Sequence, residues 1–380
     1  MTKNVLEYLE QTAEQYPDKI AFSDEFSSCT FQELKESSRR GGSALKGKVS
    51  SGFPVPVFME KGTETIKLFL GIVQAGGFYV LLDMKQPVFR LCQILDTLQA
   101  KVILSSRVYQ EELDKLGFEG EVLWAEDLLE ASVDEAFLQS VREYARDTDP
   151  LYGIFTSGST GVPKGVVVCN RSVIDFIDHF TDIFQISHED VIGNQAPWDF
   201  DVSVKDIYSG IKTGARVEII PKRFFSFPVQ LLDFLEERQV TTLIWAVSAL
   251  CIISTLHGFD YRVPTKVRKV LFSGETMPVK HLNIWRTYLP EAEYVNLYGP
   301  TEITCNCTYH RIRREYQPEE VIPAGKPFPN EKVFLLDKQD REITEPGISG
   351  EICVAGTALA LGYYRNPEQT AKVFVQNPLN

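Results

Sequence analysis

The stretch LYGIFTSGSTGVPKG, residues 151–165, decides how the rest of the chain is read. Tyr152–Phe155 is an apolar run of strand length. The ten residues from Thr156 to Gly165 then gather three glycines, Gly158, Gly161 and Gly165, with the hydroxyls of Thr156, Ser157, Ser159 and Thr160 and the cation of Lys164. Glycines let backbone N–H groups approach a ligand closely, hydroxyls add donors, and the lysine adds charge, so the loop suits a polyphosphate. It is not a Walker A loop, because Lys164 follows Pro163 and Gly165 stands where Ser or Thr would bind magnesium. A P-loop kinase or GTPase is therefore disfavoured. Gly/Ser/Thr clusters also occur in plain surface loops, but a position directly after an apolar strand, with a lysine at the far end, favours phosphate.

Working outward, Val166–Cys169 continues as a strand, and both flanks alternate strand and helix. Upstream, residues 4–16 put Val5, Leu6, Leu9, Ala13 and Tyr16 on one helical face closed by Pro17. A strand over 54–59, a helix over 65–75 ended by Gly76-Gly77, a strand over 78–82, a helix over 88–99 and a strand over 101–105 follow. This is the βαβ spacing of a mostly parallel sheet. One acidic helical stretch, 126–146, leads into the loop region. Downstream, helices over 172–184, 202–210 and 228–237 alternate with strands over 191–195, 216–220, 241–246 and 268–272. Near Ile322 the chain changes to short strands, 332–337 and 350–355, separated by Gly, Pro and Asp turns. The expected architecture is α/β: two subdomains, 1–171 and 172–321, with mostly parallel sheets packed together, and a small β-rich subdomain over 322–380.

Composition narrows the function classes. Of 380 residues, 44% are hydrophobic and 24% charged, which excludes a disordered chain, a collagen or a coiled-coil rod. With 39 Lys and Arg against 52 Asp and Glu the net charge is −13, so sequence-independent nucleic-acid binding is not expected. The most apolar stretches, 68–82 and 243–253, fall short of the ~18 apolar residues of a membrane span. Glu7, Glu10 and Glu14 interrupt the region where a signal peptide has its apolar core. Seven scattered cysteines without a C-x-x-C pair fit reduced thiols and a cytoplasmic location. The pair Cys305 and Cys307 has no His spacing that would complete a metal site.

The 151–165 stretch resembles the phosphate-binding signature of the adenylate-forming enzymes: acyl-CoA synthetases, luciferases and amino-acid adenylation domains. Four further stretches agree with that family in order: FQEL (31–34), QAGGFYVLLD (74–83), NLYGPTE (296–302) and GEICVAGTALALGYY (350–364), the last in a barrel-like subdomain. The resemblance covers nearly the whole chain and implies attack of a carboxylate on the α-phosphorus of ATP, giving an acyl-AMP and pyrophosphate. By that resemblance Ser157, Gly158, Ser159, Thr160, Gly161 and Lys164, with Thr156, hold the β- and γ-phosphates. Glu302 ligates Mg²⁺ and Thr301 donates to the α-phosphate or acyl-AMP. Tyr298 stacks on adenine, Asn296 and the backbone at Gly274 read its edge, and Glu275 and Gly299 complete the nucleotide set. Thr301, Glu302 and Lys164 are the expected catalytic residues. Taken alone, Tyr298 would read as a packed aromatic.

The stretch NQAPWDFDVSVKDIY (194–208) resembles amino-acid-activating members, in which an aspartate, here Asp201, pairs with the substrate ammonium. A buried carboxylate needs such a partner. Pairing of Asp201 with Lys205 at i+4 is the plainer alternative. Trp198 falls at an aromatic gate, or is a core tryptophan. The implied side-chain pocket is Asp201, Val202, Lys205, Ile244, Leu271, Ser273, Leu297, Cys305 and Asn306. Leu271, Ser273 and Leu297 resemble pockets for small polar residues, whereas Lys205 favours an acidic one. The same context resembles D-alanine–carrier-protein ligases, so the implied acceptor is a phosphopantetheine thiol on a carrier protein. An acyl- or aryl-CoA ligase and a nucleotide-binding module without turnover are the rival readings.

The sequence closes on VFVQNPLN380. The resemblance implies a later Asp on the ribose, a hinge and a mobile C-terminal subdomain with a catalytic Lys; without them, little turnover is expected. Leu361, Leu81 and Asn170 stand where the family pattern has Arg, Pro and His.

Overall fold

The computed structural model describes residues 2–157 and 161–379, a mixed α/β molecule built on two large sheets. The first sheet has the spatial order Gly362–Tyr363, Lys164–Cys169, Pro150–Thr156, Phe78–Leu81, Pro54–Phe58, Val102–Ser105 and Glu121–Trp124. From Pro150–Thr156 onward the neighbours are parallel, as the βαβ spacing predicts. Every residue of Pro54–Phe58, Phe78–Leu81 and Val102–Ser105 is buried, which is why these strands read as continuous apolar runs. Lys164–Cys169 folds back antiparallel on Pro150–Thr156, with Lys164 opposite Thr156. Thr156 and Lys164 therefore stand opposite each other at the end of a hairpin.

The second sheet has the order Lys326–Pro327, Thr308–Arg311, Glu293–Tyr298, Lys269–Ser273, Thr242–Ala246, Val191–Asn194, Arg216–Ile219, Ile20–Ser23 and Ser28–Thr30. The six strands from Glu293–Tyr298 to Ile20–Ser23 are parallel and the flanking pairs antiparallel. Ile20–Ser23 and Ser28–Thr30, early in the chain, thus finish the far edge of this sheet.

Strand alternation distributes the core. Val55, Val57, Tyr79 and Leu81 face a large cluster that also takes Ile192, Val217, Ile244 and Leu271 from the second sheet. Phe58, Phe78 and Val80 face the outer side of the first sheet, and Leu243, Trp245, Val270 and Phe272 the outer side of the second. The halves meet where the Tyr79 and Tyr208 hydroxyls lie 2.8 Å apart and Phe69 stacks on Tyr79 at 4.0 Å.

Two expectations are corrected. The acidic stretch is two helices, Ala125–Glu130 and Glu135–Tyr144, because Asp134 starts the second by accepting from the Phe137 N–H at 3.0 Å. The tail closes no barrel: among the described residues Glu331–Leu336 and Glu351–Gly356 form a two-stranded ribbon, too few strands for closure, while Lys326–Pro327 and Gly362–Tyr363 join the large sheets. Among the described residues, no helix is long and apolar enough to cross a membrane.

Candidate active site

The hairpin sets Thr156 and Lys164 at the base of the phosphate-type loop. Ser157 is exposed, and Gly161 has a φ of +81°. Gly158, Ser159 and Thr160 lie outside the described residues. The Lys164 ammonium sits 5.4 Å from the centre of the Tyr363 ring. Tyr363 is held there because Gly362–Tyr363 pairs with Val166 and Val167 of the hairpin.

Beside it, NLYGPTE leaves the second sheet. Glu293–Tyr298 ends in the turn Thr301–Ile303, and the chain returns as Thr308–Arg311. A side chain at Gly299 would fall 2.5 Å from the Asn306 Cα and 2.7 Å from the Cys307 N, so glycine is required where the returning backbone crosses. Thr304 and Cys305 both adopt left-handed backbone, φ 51° and 81°, unusual for residues with a Cβ. Bonds on either side hold this turn: the Thr304 hydroxyl donates to Ala358 O at 2.5 Å and the Cys307 N–H to Tyr298 O at 2.8 Å. The Ala360 N–H donates to Glu302 O at 2.8 Å, and the Tyr363 hydroxyl donates to Glu302 Oε1 at 2.6 Å. Tyr298 is 39% exposed, and Gly274 and Glu275 are exposed. The Asn296 side chain is buried, its Nδ2 donating to Pro323 O at 2.9 Å.

The pocket residues gather through period-2 alternation on three neighbouring parallel strands. Ile244 lies opposite Leu271, and Leu271 opposite Val295. Ile244, Leu271, Ser273 and Leu297 therefore share one face, turned toward helix Val202–Thr213. Lys205 of that helix is fully buried; its Nζ donates to Asn306 Oδ1 at 2.7 Å and to Ser273 Oγ at 3.3 Å. Among the described residues it forms no ion pair, so the i,i+4 pairing with Asp201 is not made. Asp201, at the start of the helix, lies beside the Thr301 hydroxyl. Burial pushes the Asp201 carboxyl above its ordinary value; Thr301 and the Lys205 ammonium pull it back, and Glu302 adds to the rise. The Cys305 thiol, raised by burial, donates to Asn306 Oδ1 at 3.4 Å. Val202 is half-buried. Trp198 is packed between the halves against Phe69 at 5.8 Å and Phe22 at 6.4 Å, with its Nε1 donating to Asn194 Oδ1 at 3.1 Å. Its ring is buried.

Three residues near the site escaped the sequence reading. Lys61, from the first half, donates to Asn194 Oδ1 at 3.0 Å and to the carbonyls of Asn194, Gln195 and Ala196 at 3.1–3.3 Å. Burial pulls its ammonium down to about 7. Asn194 Nδ2 donates to Asp206 Oδ2 at 2.5 Å, and burial pushes that carboxyl up to about 7. Together they pin the loop that carries Trp198 and Asp201. The third is Tyr363, which lay inside a quoted motif with no signal beyond its neighbours.

A phosphate-type hairpin, an NLYGPTE turn and a carboxylate at a helix start, all at the seam of two mostly parallel sheets, define an adenylate-forming architecture. The AMP-binding enzyme family matches residues 9–364, and the chain belongs to it. A mycosubtilin synthase of Bacillus subtilis is 33% identical over 387 residues, covering 100% of this chain and 14% of that relative. Zwittermicin A synthase ZmaJ of Bacillus cereus is 30% identical over 399 residues, covering 100% and 72% respectively. Tyrocidine synthase 1 of Brevibacillus parabrevis is 29% identical, covering 99% and 34%. The chain thus spans a minor part of the first and third of these synthases. Among solved structures, the nonribosomal peptide synthetase FmoA3 superposes with a TM-score of 0.89 at 29% identity, covering 99% of this chain and 40% of that one. FmoA3 is also known in AMPPNP-bound and alpha-methyl-L-serine-AMP-bound forms.

Proposed function

We propose that the chain activates an amino acid: the substrate carboxylate attacks the α-phosphorus of ATP, the bond to the β-phosphate breaks, and aminoacyl-AMP and pyrophosphate form. A phosphopantetheine thiol on a carrier protein then attacks the acyl carbon and releases AMP. The observation that supports the reading is Asp201 beside the Thr301 hydroxyl of the NLYGPTE turn, with the Glu302 charge near enough to raise its carboxyl.

Each side chain then has a task. Asp201 takes the α-ammonium, turning a costly lone carboxylate into a paired one. Thr301 orients the reacting carboxylate or α-phosphate by its hydroxyl. Lys164, with Thr156, Ser157 and Gly161, neutralises the β- and γ-phosphates so that two anions can meet. Tyr298, Gly274, Glu275, Gly299 and Asn296 bound the adenine side.

Mg²⁺ fits this site in one way. Among the described residues no group of three or more His, Cys, Asp or Glu forms a metal cage. Magnesium, however, is commonly held by one carboxylate together with substrate phosphates and water. Glu302, with its Oε1 fixed by Tyr363, is the residue that would hold it. The ion would supply charge neutralisation on the phosphates.

The test is thermal denaturation of the chain with Mg·ATP and each common amino acid, including D-alanine. A ligand at 100-fold its dissociation constant adds about 2.7 kcal/mol. An amino-acid-dependent rise in Tm that Asp201→Asn removes, while the Mg·ATP rise stays, is expected. A rise with ATP and with no amino acid would move the reading to another carboxylic acid.

A further inference from the structure

Lys205 is the most unusual group in the pocket. A fully buried ammonium is costly unless an anion and enough acceptors surround it. Among the described residues its hydrogen-bond acceptors are neutral, the Asn306 amide oxygen and the Ser273 hydroxyl. An ammonium carries three donors, and no carboxylate takes the third there. Asp201 and Asp206, nearest in sequence, feel its charge but form no ion pair with it. Asp201 lies with Thr301, and Asp206 accepts from Asn194. The other walls, Ile244, Leu271 and Leu297, are apolar and buried. Next to Ser273, a Cβ built on Gly274 would meet nothing within 4 Å, so the strand ends at open space.

Resting on the amino-acid reading, we propose that this pocket selects an amino acid with a short acidic side chain, and that Lys205 is its specificity-determining residue. Asp201 and Lys205 are one helical turn apart, about 6 Å along the axis. An amino acid held through its ammonium at Asp201 lays its side chain along that turn. Once Asp201 is taken up by the substrate ammonium, a side-chain carboxylate reaching Lys205 supplies a direct ionic partner. A neutral side chain supplies none, and that is how serine, alanine and leucine are rejected. Asn306 and Ser273 hold the Nζ in place for either aspartate or glutamate.

Isothermal titration of the whole chain in the presence of Mg·ATP tests this with aspartate, glutamate, serine, alanine and leucine as probes. Aspartate or glutamate is expected to bind most tightly, with Lys205→Gln weakening it at least ~30-fold and leaving Mg·ATP affinity unchanged. A buried lysine can matter for folding, so Asn306→Asp is the second variant. It places a carboxylate on Lys205 from within, and the acidic preference is expected to collapse while serine still binds. Tightest binding of a neutral amino acid, unaffected by both variants, would overturn the proposal and leave the amino-acid reading standing. Binding of Mg·ATP with no amino acid at all would overturn both.

Discussion

Asp201 begins helix Val202–Thr213 with its carboxyl raised by burial, and that shift has a direction that can be measured. Ammonium binding needs the ionised carboxylate. Amino-acid affinity is therefore expected to fall as pH drops through the raised value and to level off above it, whereas Mg·ATP affinity follows no such curve. Titrations across pH check this, and Asp201→Asn should abolish the pH-dependent part. Tyr363 offers a second test. Its hydroxyl donates to a carboxylate, a bond worth about 1.5–3 kcal/mol. Tyr363→Phe is expected to weaken Mg·ATP binding and also to lower the nucleotide-free Tm, because the bond is made without nucleotide. Unchanged affinity across a Mg²⁺ titration would remove Glu302 from the metal-binding role. At this scale the pocket residues were named through the resemblance: Asp201, Val202 and Lys205 lie in a quoted motif, whereas Ile244, Leu271 and Ser273 lie in strands with no motif of their own. The sequence was blind to Lys61 and Tyr363, whose partners are contributed by distant segments. Asn170, a departure from the family pattern, proves to be a staple: its Nδ2 donates to Asp149 O and its Oδ1 accepts from the Val5 N–H, both at 3.1 Å.

Among the elements, the turn between Glu293–Tyr298 and Thr308–Arg311 is the most constrained. Gly299→Ala pushes a Cβ into backbone that cannot step aside, so a loss of about 1–3 kcal/mol is expected, read as a lower Tm. The ribbon carries a different signature. Glu331, at its start, accepts from the Ala358 N–H at 2.9 Å, and burial pushes its carboxyl up to about 7, with Asp175 adding to the rise. A carboxyl that keeps its proton longer when folded favours the folded state at low pH. That contribution is complete below its ordinary 4.5 and is lost as pH rises through about 7. Glu331→Gln is expected to flatten that part of a stability–pH profile measured by denaturant melts. Elements with strong local signals were legible: the apolar strands Pro54–Phe58 and Phe78–Leu81, and helix Pro228–Glu237, fall within a residue of their expected bounds. Helix Phe31–Ala44 carries its own local signal, the capping box of Thr30 and Glu33, beneath the FQEL motif.

For the molecule as a whole, the α/β class and the parallel sheets were legible from spacing. Strand order was not, because hydrogen bonding between Ile20–Ser23 and Arg216–Ile219 joins residues nearly 200 positions apart and leaves no local trace. In the tail the two expected strands pair only with each other, while Lys326–Pro327 and Gly362–Tyr363 are drawn into the large sheets, so no barrel closes among the described residues. One core shared by both sheets predicts that the halves unfold together. Calorimetry of the nucleotide-free chain should give matching van't Hoff and calorimetric enthalpies. Two separable transitions would mean that the shared face contributes little. The strand Gly362–Tyr363 also carries mechanical weight. It is two residues long, and Leu361 and Tyr364 add only a bond each, to Val167 O and Gly165 O at 2.8 and 2.7 Å. That short seam is the sole stitching between the tail and the hairpin among the described backbone pairings of the first sheet. A tug on the tail through Tyr364 is therefore felt at Gly165, making the seam a strain gauge wired to the base of the hairpin.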